Sequence, residues 1–368
     1  MRINKIELRH LRLPLVAHFE TSFGRVNHQE TLIIKITAGN YDGYGECPAS
    51  AAPYYSSETI HTARYIIKEF LTPILFKLQI ADCRLQIDEF NRIRGHPMAK
   101  AGVLMALSDL IARRKHSSLS RFYGGTRKTI LSGISLGIQD SLPDLFKRID
   151  TALQVGYQRI KIKIKPGWDV RVVAAVRKRF GHIPLSVDAN GVYQLKDAPV
   201  FRQLDKYNLL MIEQPLDYND LIDHAKLQRH LKTPLCLDES IKSLRDTRQA
   251  IELGSCRIIN IKQARVGGPF EAKNIHNRCR HAGIPVWCGG LLETGIGRLH
   301  NIALASLPGF TLPGDISASA RYYKKDIIDP SVVVSPAGTI RVPQEPGLGA
   351  RVITRHLQER TISKETLT

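Results

Sequence analysis

Five charged residues recur through the middle of this chain at nearly constant spacing. Lys163, Asp188, Glu213, Asp238 and Lys262 follow one another at intervals of 25, 25, 25 and 24 residues. Each stands at or near the end of a short β-branched run. Three carboxylates brought within a few ångströms repel one another unless a cation lies between them. An all-oxygen donor set without His or Cys suits a hard cation, and Mg²⁺ takes a few carboxylates together with water and substrate oxygens. Mg²⁺ is the expected cofactor at Asp188, Glu213 and Asp238, with Mn²⁺ as the second choice. Two lysines flanking such a cation suit proton removal next to a carboxylate. The metal holds the carboxylate, one lysine takes the α-proton, and the metal stabilises the enediolate. A lysine close to a metal and other cations has its ammonium form disfavoured, which makes the amine a usable base near neutral pH. One charge at a strand end reads equally well as a solvated loop residue. Five in register do not.

The elements that must position these residues show a matching rhythm. Short strand-like runs occupy 131–138, 159–164, 184–190, 211–215, 234–240, 257–262, 285–290 and 311–315, with helical periodicity between them. Alternating strands and helices imply parallel βα units. Eight in one series point to an α/β fold of the (β/α)8-barrel type, whose catalytic residues gather at the C-terminal ends of the strands. The eighth run is short, so a (β/α)7β barrel fits the same pattern. Lys163 and Lys262 fall on the second and sixth strands, four positions apart in a ring of eight, hence on opposite sides of the mouth. Lys161 shares a face with Lys163 because side chains alternate along a strand.

The first 125 residues read differently. The runs 31–37 and 43–47 flank Gly39-Asn40-Tyr41-Asp42, a hairpin signal, and helical segments follow near 58–70 and 98–114. The expected organisation is an α+β capping domain over 1–125, a catalytic barrel over 126–320, and a C-terminal segment, 321–368, that packs back on the cap.

Composition narrows the class. Of 368 residues, 43% are apolar and 24% charged, which excludes disorder and a disulfide miniprotein. No apolar stretch reaches the ~18 residues of a membrane span. The N-terminus interleaves charges with apolar residues and lacks a signal-peptide core. The six cysteines, Cys47, Cys83, Cys236, Cys256, Cys279 and Cys288, form no CxxC pair, so a reduced, cytoplasmic protein is expected. The net charge is +19. Its densest clusters, Arg113-Arg114-Lys115 and Arg177-Lys178-Arg179, are triplets at helix ends, where cations suit the helix dipole. That distribution reads as solvated faces able to attract small anions, not as a nucleic-acid surface.

At these residues the chain resembles the enolase superfamily, in its muconate-lactonizing-enzyme subgroup, and more closely the o-succinylbenzoate synthase / N-succinylamino acid racemase family. The matching strings are FETSFG (19–24), GEC (45–47), RIKIKIKPGWD (159–169), VDAN (187–190), IEQP (212–215), LDES (237–240), NIKQARVGG (260–268), VWCGGLLETGIGR (286–298) and LPGDISAS (312–319). The WCGG…ETGIGR and PGDISAS strings are the most specific. The resemblance implies an acid/base pair in Lys163 and Lys262, and Mg²⁺ ligands in Asp188, Glu213 and Asp238. It implies substrate contacts from Lys161, Ser135, Phe19, Tyr55, Gly290 and Leu292, and supporting places around the site for Asn190, Asp315 and Arg265. Cap loops 19–24 and 51–57 would cover the site and read the distal end of the substrate. Arg265 stands where racemase-capable members carry arginine.

The implied activity is Mg²⁺-dependent dehydration of 2-succinyl-6-hydroxy-2,4-cyclohexadiene-1-carboxylate to o-succinylbenzoate, a step of menaquinone biosynthesis. The alternative is two-base racemisation of N-succinylamino acids at the same site. A nucleic-acid-binding protein on an inactive barrel is the remote third reading, opposed by the intact Lys/Asp/Glu/Asp/Lys set. The expected partner is a small anionic carboxylate, with no nucleic acid and no membrane, and the resemblance implies a homo-oligomer. Gly295-x-Gly297 is only a fragment of a dinucleotide fingerprint. Trp287 and Cys288 read either as strand packing or as pocket lining, and His18 either as an exposed loop residue or as a substrate contact.

Overall fold

The computed structural model describes residues 2–22, 24–77, 79 and 84–368. Phe23 of the first cap loop and Cys83 lie outside them. The chain opens with two long strands, β1 (Lys5–Thr21) and β2 (Gly24–Ala38), followed by β3 (Tyr41–Cys47). β2 and β3 meet at a two-residue turn, with Ala38 opposite Tyr41 and Gly39 at φ 57°. The hairpin signal is thus realised, and glycine meets the left-handed backbone at no steric cost. Ile34, Ile36 and Ala38 alternate onto the core face. That face packs on the helix Pro97–Arg114, which is buried almost all round. β3 lies directly on this helix: a Cβ at Gly45 would stand 2.1 Å from the Gly102 carbonyl oxygen.

The barrel begins after β4 (Thr129–Leu131) with seven parallel strands. They are β5 (Ile134–Leu136), β6 (Ile160–Lys163), β7 (Leu185–Asp188), β8 (Ile212–Glu213), β9 (Leu235–Leu237), β10 (Ile258–Ile261) and β11 (Val286–Cys288), lying side by side in chain order. A helix follows each, the last being Gly295–Ala305.

The eighth run forms no regular strand. The ring closes through single parallel bridges, Gly314 of the run to Ser132 and Phe310, one residue before the run, to Val286. Pro313 has no N–H for a ladder bond, and a Cβ at Gly314 would stand 2.6 Å from the Cys288 carbonyl oxygen. Glycine therefore lets the closing segment approach β11 so tightly. The outcome is the seven-strand form of the barrel, closed by an irregular segment.

Beyond the barrel come β12 (Ile328–Asp329), β13 (Thr339–Arg341), β14 (Arg351–Val352) and β15 (Thr361–Leu367). β13 pairs with β4 and β12 with β14. β15 pairs antiparallel with β1 and completes a four-stranded sheet, β15-β1-β2-β3. One core fills the barrel and a second lies between this sheet and its helices. The far end of the β1–β2 ribbon reaches the barrel mouth, where the Ile138 amide donates to the Glu20 carbonyl (2.9 Å) and Lys165 pairs with Glu20 (3.2 Å). Among the described residues, no helix is long and apolar enough to cross a membrane.

Candidate active site

Strand register sets the level of the central residues. Lys163 is opposite Asp188 and Asp188 opposite Glu213 on adjacent parallel strands, and Asp238 directly follows β9. One oxygen from each of Asp188, Glu213 and Asp238 lies within 4.8 Å of the others, and all three residues are buried.

Buried cations surround this triad. Lys161 Nζ reaches Glu213 (2.7 Å), Asp188 (3.1 Å) and Asp315 (2.5 Å). Lys163 Nζ donates to Asp188 (2.6 Å) and to Asn190 Oδ1 (2.7 Å). Across the mouth, Lys262 Nζ donates to Asp238 (2.8 Å) and to the Tyr55 hydroxyl (3.1 Å). Arg265 pairs with the other oxygen of Asp238 and donates to the Ile241 and Asn260 carbonyls (2.9 and 2.7 Å).

The donor set fits a hard divalent cation: three buried carboxylates, no thiol or imidazole, converging oxygens. Burial alone would lower Lys161 and Lys262. Asp315, Glu213 and Asp188 outweigh it at Lys161, and Tyr55, Glu239 and Glu213 at Lys262, so both ammonium groups are held well above the ordinary lysine range. A dication on the same oxygens would compete for that counter-charge. Burial would raise Asp188, yet Lys163 and Lys161 hold it far below the carboxylate range. Glu213 is raised by burial and by the neighbouring Asp188.

Above the triad lies a cavity of about 440 Å³. Lys161, Lys163 and Lys262 line it, as do Ser135, Phe19, Tyr55, Gly290, Leu292, Asn190 and Asp315. Ser135 Oγ is buried without a protein partner. Phe19 stands edge-on to Tyr322. Asn190 receives Lys163 and donates to Glu239 (2.9 Å). Arg265 is not among the lining residues and acts on the site through Asp238. Neither His18 nor Trp287 nor Cys288 lines the cavity. Trp287 is packing with a charge above it: its ring is fully buried, with Lys161 Nζ 4.8 Å and Arg159 Cζ 4.3 Å from its centroid. Gly295 and Gly297 belong to a buried helix start whose amides are taken by Asp326 and Glu46.

Sequence reasoning passed over Arg159, a fully buried guanidinium paired with Asp315 beneath Lys161. The signal was present, since 159, 161 and 163 share strand parity. It also passed over Glu239, Asn260 and Glu46, which touch the site through other side chains and have no spacing to betray them.

Two family models cover nearly all of the chain: the mandelate racemase / muconate lactonizing enzyme N-terminal domain over 5–124 and the enolase C-terminal domain-like family over 144–355. The chain is 48% identical over 362 residues to an o-succinylbenzoate synthase of Geobacillus kaustophilus, covering 98% of this chain and 96% of that one. It is 46% identical over 365 residues to an N-succinylamino acid racemase of Amycolatopsis sp, covering 99% of each. The crystal structure of an enolase-superfamily member from Listeria innocua superposes with a TM-score of 0.95 at 42% identity, over 100% of this chain and 99% of that one. The chain belongs to the enolase superfamily, in its muconate-lactonizing-enzyme subgroup, alongside o-succinylbenzoate synthases and N-succinylamino acid racemases.

Proposed function

We propose that this chain is a Mg²⁺-dependent o-succinylbenzoate synthase, with 2-succinyl-6-hydroxy-2,4-cyclohexadiene-1-carboxylate as its substrate and menaquinone biosynthesis as its setting. The observation that carries the reading is the pair Lys163 and Lys262 on either side of one carboxylate triad, each bonded to a different end of it. Relatives at 47–48% identity that bear the synthase name support it.

Asp188, Glu213 and Asp238 would hold the Mg²⁺, which supplies a Lewis acid for the substrate carboxylate. Lys163, as the free amine, takes the α-proton. The C–O bond to the ring hydroxyl then breaks, and the Lys163 ammonium returns the proton to the departing hydroxide as water, leaving the aromatic ring. Lys262 stays protonated and faces the charge displaced onto the carboxylate. Lys161, fixed by Asp315, supports the same carboxylate from the floor. Buried cations in a site closed to water stabilise such charge strongly.

Charge balance favours an anionic substrate. Asp188, Glu213, Asp238, Glu239 and Asp315 face Lys161, Lys262, Arg159 and Arg265 in the buried wall, with Lys163 beside them as the base. A dication bound there leaves an excess of positive charge for the substrate to meet. The two domains and tail anticipated at 1–125, 126–320 and 321–368 are proposed as cap, catalytic barrel and returning segment, supported by the pairing of β15 with β1. A reduced, cytoplasmic setting is supported by five described cysteines that are buried and unpaired.

Racemisation of N-succinylamino acids is the second reading, favoured by Arg265, which shares Asp238 with Lys262, and by relatives bearing the racemase name at 46% and 43% identity. The test is purified enzyme with the cyclohexadiene substrate, followed by the ultraviolet absorbance of the aromatic product. Mg²⁺-dependent turnover, lost in excess EDTA and restored by the metal, is expected. Full turnover in EDTA overturns the metal assignment, and no turnover with Mg²⁺ overturns the synthase reading.

A further inference from the structure

The wall of the cavity contains a leucine in a backbone conformation that leucine avoids. Leu292 has φ 60°, the left-handed region that costs a side-chain-bearing residue strain and persists only where its surroundings hold it. The restraints come from inside the loop and from the elements around it. The Tyr323 hydroxyl donates to the Leu292 carbonyl. Glu293 folds back to take the Leu291 amide (2.7 Å) and the Asn301 side-chain amide (3.0 Å). Arg298 holds the Glu293 carbonyl (2.9 Å).

The far end is fixed from the other domain. Glu46, on the capping strand β3, is fully buried. Its Oε1 accepts the Thr294 amide (3.0 Å) and the Thr31 hydroxyl (2.9 Å), and its Oε2 accepts the Thr294 hydroxyl (2.6 Å) and the Gly297 amide (2.9 Å). A carboxylate from the cap therefore takes otherwise unpaired amides at the start of a barrel helix, where negative charge is favoured. The same strand runs straight into a segment whose Pro48, Ser50, Ala51, Ala52, Tyr54 and Tyr55 line the same cavity. Gly43 and Gly45, pressed on the helix Pro97–Arg114 without room for a Cβ, fix the strand that carries Glu46.

We infer that Glu46 is a positioning residue: acting through Thr294, it ties the cap to the barrel and holds Leu292 against the substrate. It touches no substrate. It sets the distance between two cavity walls that belong to different domains, and so bears on how the non-reacting end of the substrate is bound rather than on proton transfer. This rests on the synthase reading for its kinetic arm only.

The tests are Glu46→Gln and the milder Thr294→Val, each read in two ways. Glutamine must turn an NH₂ toward donors that now meet a carboxylate. Amide hydrogen exchange needs no substrate. The segment 289–297 should exchange about tenfold faster in either variant while 185–190 and 258–263 keep their wild-type rates. In dehydration, KM should rise about five- to tenfold with kcat within about threefold of wild type, the signature of lost binding rather than lost chemistry. In a Leu292→Gly background, where nothing strained is left to hold, Glu46→Gln should move KM by less than about twofold. Unchanged exchange in 289–297, a fall in kcat at constant KM, or additive effects in the Leu292→Gly background would each overturn the inference. A wild-type enzyme inert toward the cyclohexadiene substrate overturns the synthase reading instead, and the exchange result still decides this one.

Discussion

Glu213 is the triad member whose replacement separates metal chemistry from folding most cleanly. Its two oxygens have single protein partners, Lys161 Nζ at 2.7 Å and Asn260 Nδ2 at 2.9 Å. In Glu213→Gln the new amide oxygen can stay on Lys161, which also keeps Asp188 and Asp315 as counter-charges. The new NH₂ would then face the NH₂ of Asn260. Asn260 Oδ1 is buried without a partner, so a flip of that amide supplies an acceptor and leaves one buried donor unsatisfied. Stability should fall by about 1–3 kcal/mol, the usual cost of such a group, and the protein should remain folded. The chemistry should suffer more. One of three anionic donors is lost from the cation site, and turnover should drop at least ~10²-fold, about 2.7 kcal/mol of barrel-mouth stabilisation of the transition state. Thermal melts, dehydration rates and a Mg²⁺ titration give the three readouts. Trp287, with Lys161 Nζ 4.8 Å from its ring, reports the titration by fluorescence in a Trp168→Phe background. Wild-type turnover at wild-type Mg²⁺ affinity would refute the reasoning outright.

Three further outcomes are expected. Lys163→Ala and Lys262→Ala should each abolish both dehydration and racemisation. With an N-succinylamino acid in D₂O, each should retain exchange of the α-proton of one enantiomer only, and of opposite enantiomers; the same enantiomer in both, with dehydration intact in Lys262→Ala, would sink the opposed-lysine geometry. The +19 charge should steer dianions modestly, so raising salt from low to physiological strength should lower kcat/KM by less than about tenfold, whereas tight, salt-sensitive retention of duplex DNA would revive a nucleic-acid role. His300 should make stability sensitive to acid: its Nε2–H donates to the Tyr44 carbonyl (2.9 Å), leaving Nδ1 to accept the Tyr123 hydroxyl (2.9 Å), and burial pushes it down to about 4. The unfolded chain takes up this proton near pH 6.5 and the folded one only near 4, so stability is lost as pH falls through that window, on the order of 3 kcal/mol in all. Glu46, pushed up to about 7 by burial, has the opposite slope, so the difference between wild type and His300→Gln across pH 4–7 carries the test; parallel curves would dismiss it.

Periodicity made the barrel legible, because a buried parallel strand followed by a helix repeats a pattern that composition alone cannot hide. Charge spacing made the triad and two lysines legible for the same reason: one residue per βα unit translates sequence distance into angular position. The eighth strand was harder, since Pro313 and Gly314 trade ladder bonds for a close approach that only the partner strand reveals. The long strand β1 escaped notice because Lys, Arg and Glu alternate with its apolar residues over much of its length, and it read only as a tail unlike a signal peptide. Glu239 and Glu46 escaped because their partners come from other strands or the other domain, whereas Arg159 shared the strand parity of Lys161 and Lys163 and was passed over. Ser135 and Leu292 entered through family resemblance, and nothing in their own residue types would have chosen them.

β1 and β15 lie side by side, Ile6 opposite Leu367, so two strands with the whole barrel between them in sequence share one sheet. During synthesis β1 emerges before the barrel and β15 after it. Until β15 is made, β1 has β2 on one flank and open backbone donors and acceptors on the other, the kind of edge that recruits stray strands. When it arrives, β15 brings Lys364 to Glu7 and Glu365 to Arg64 and Lys68. The charged strand seals the edge of the cap. The cap that carries the loops over the cavity is therefore completed only by a strand made after every strand of the barrel.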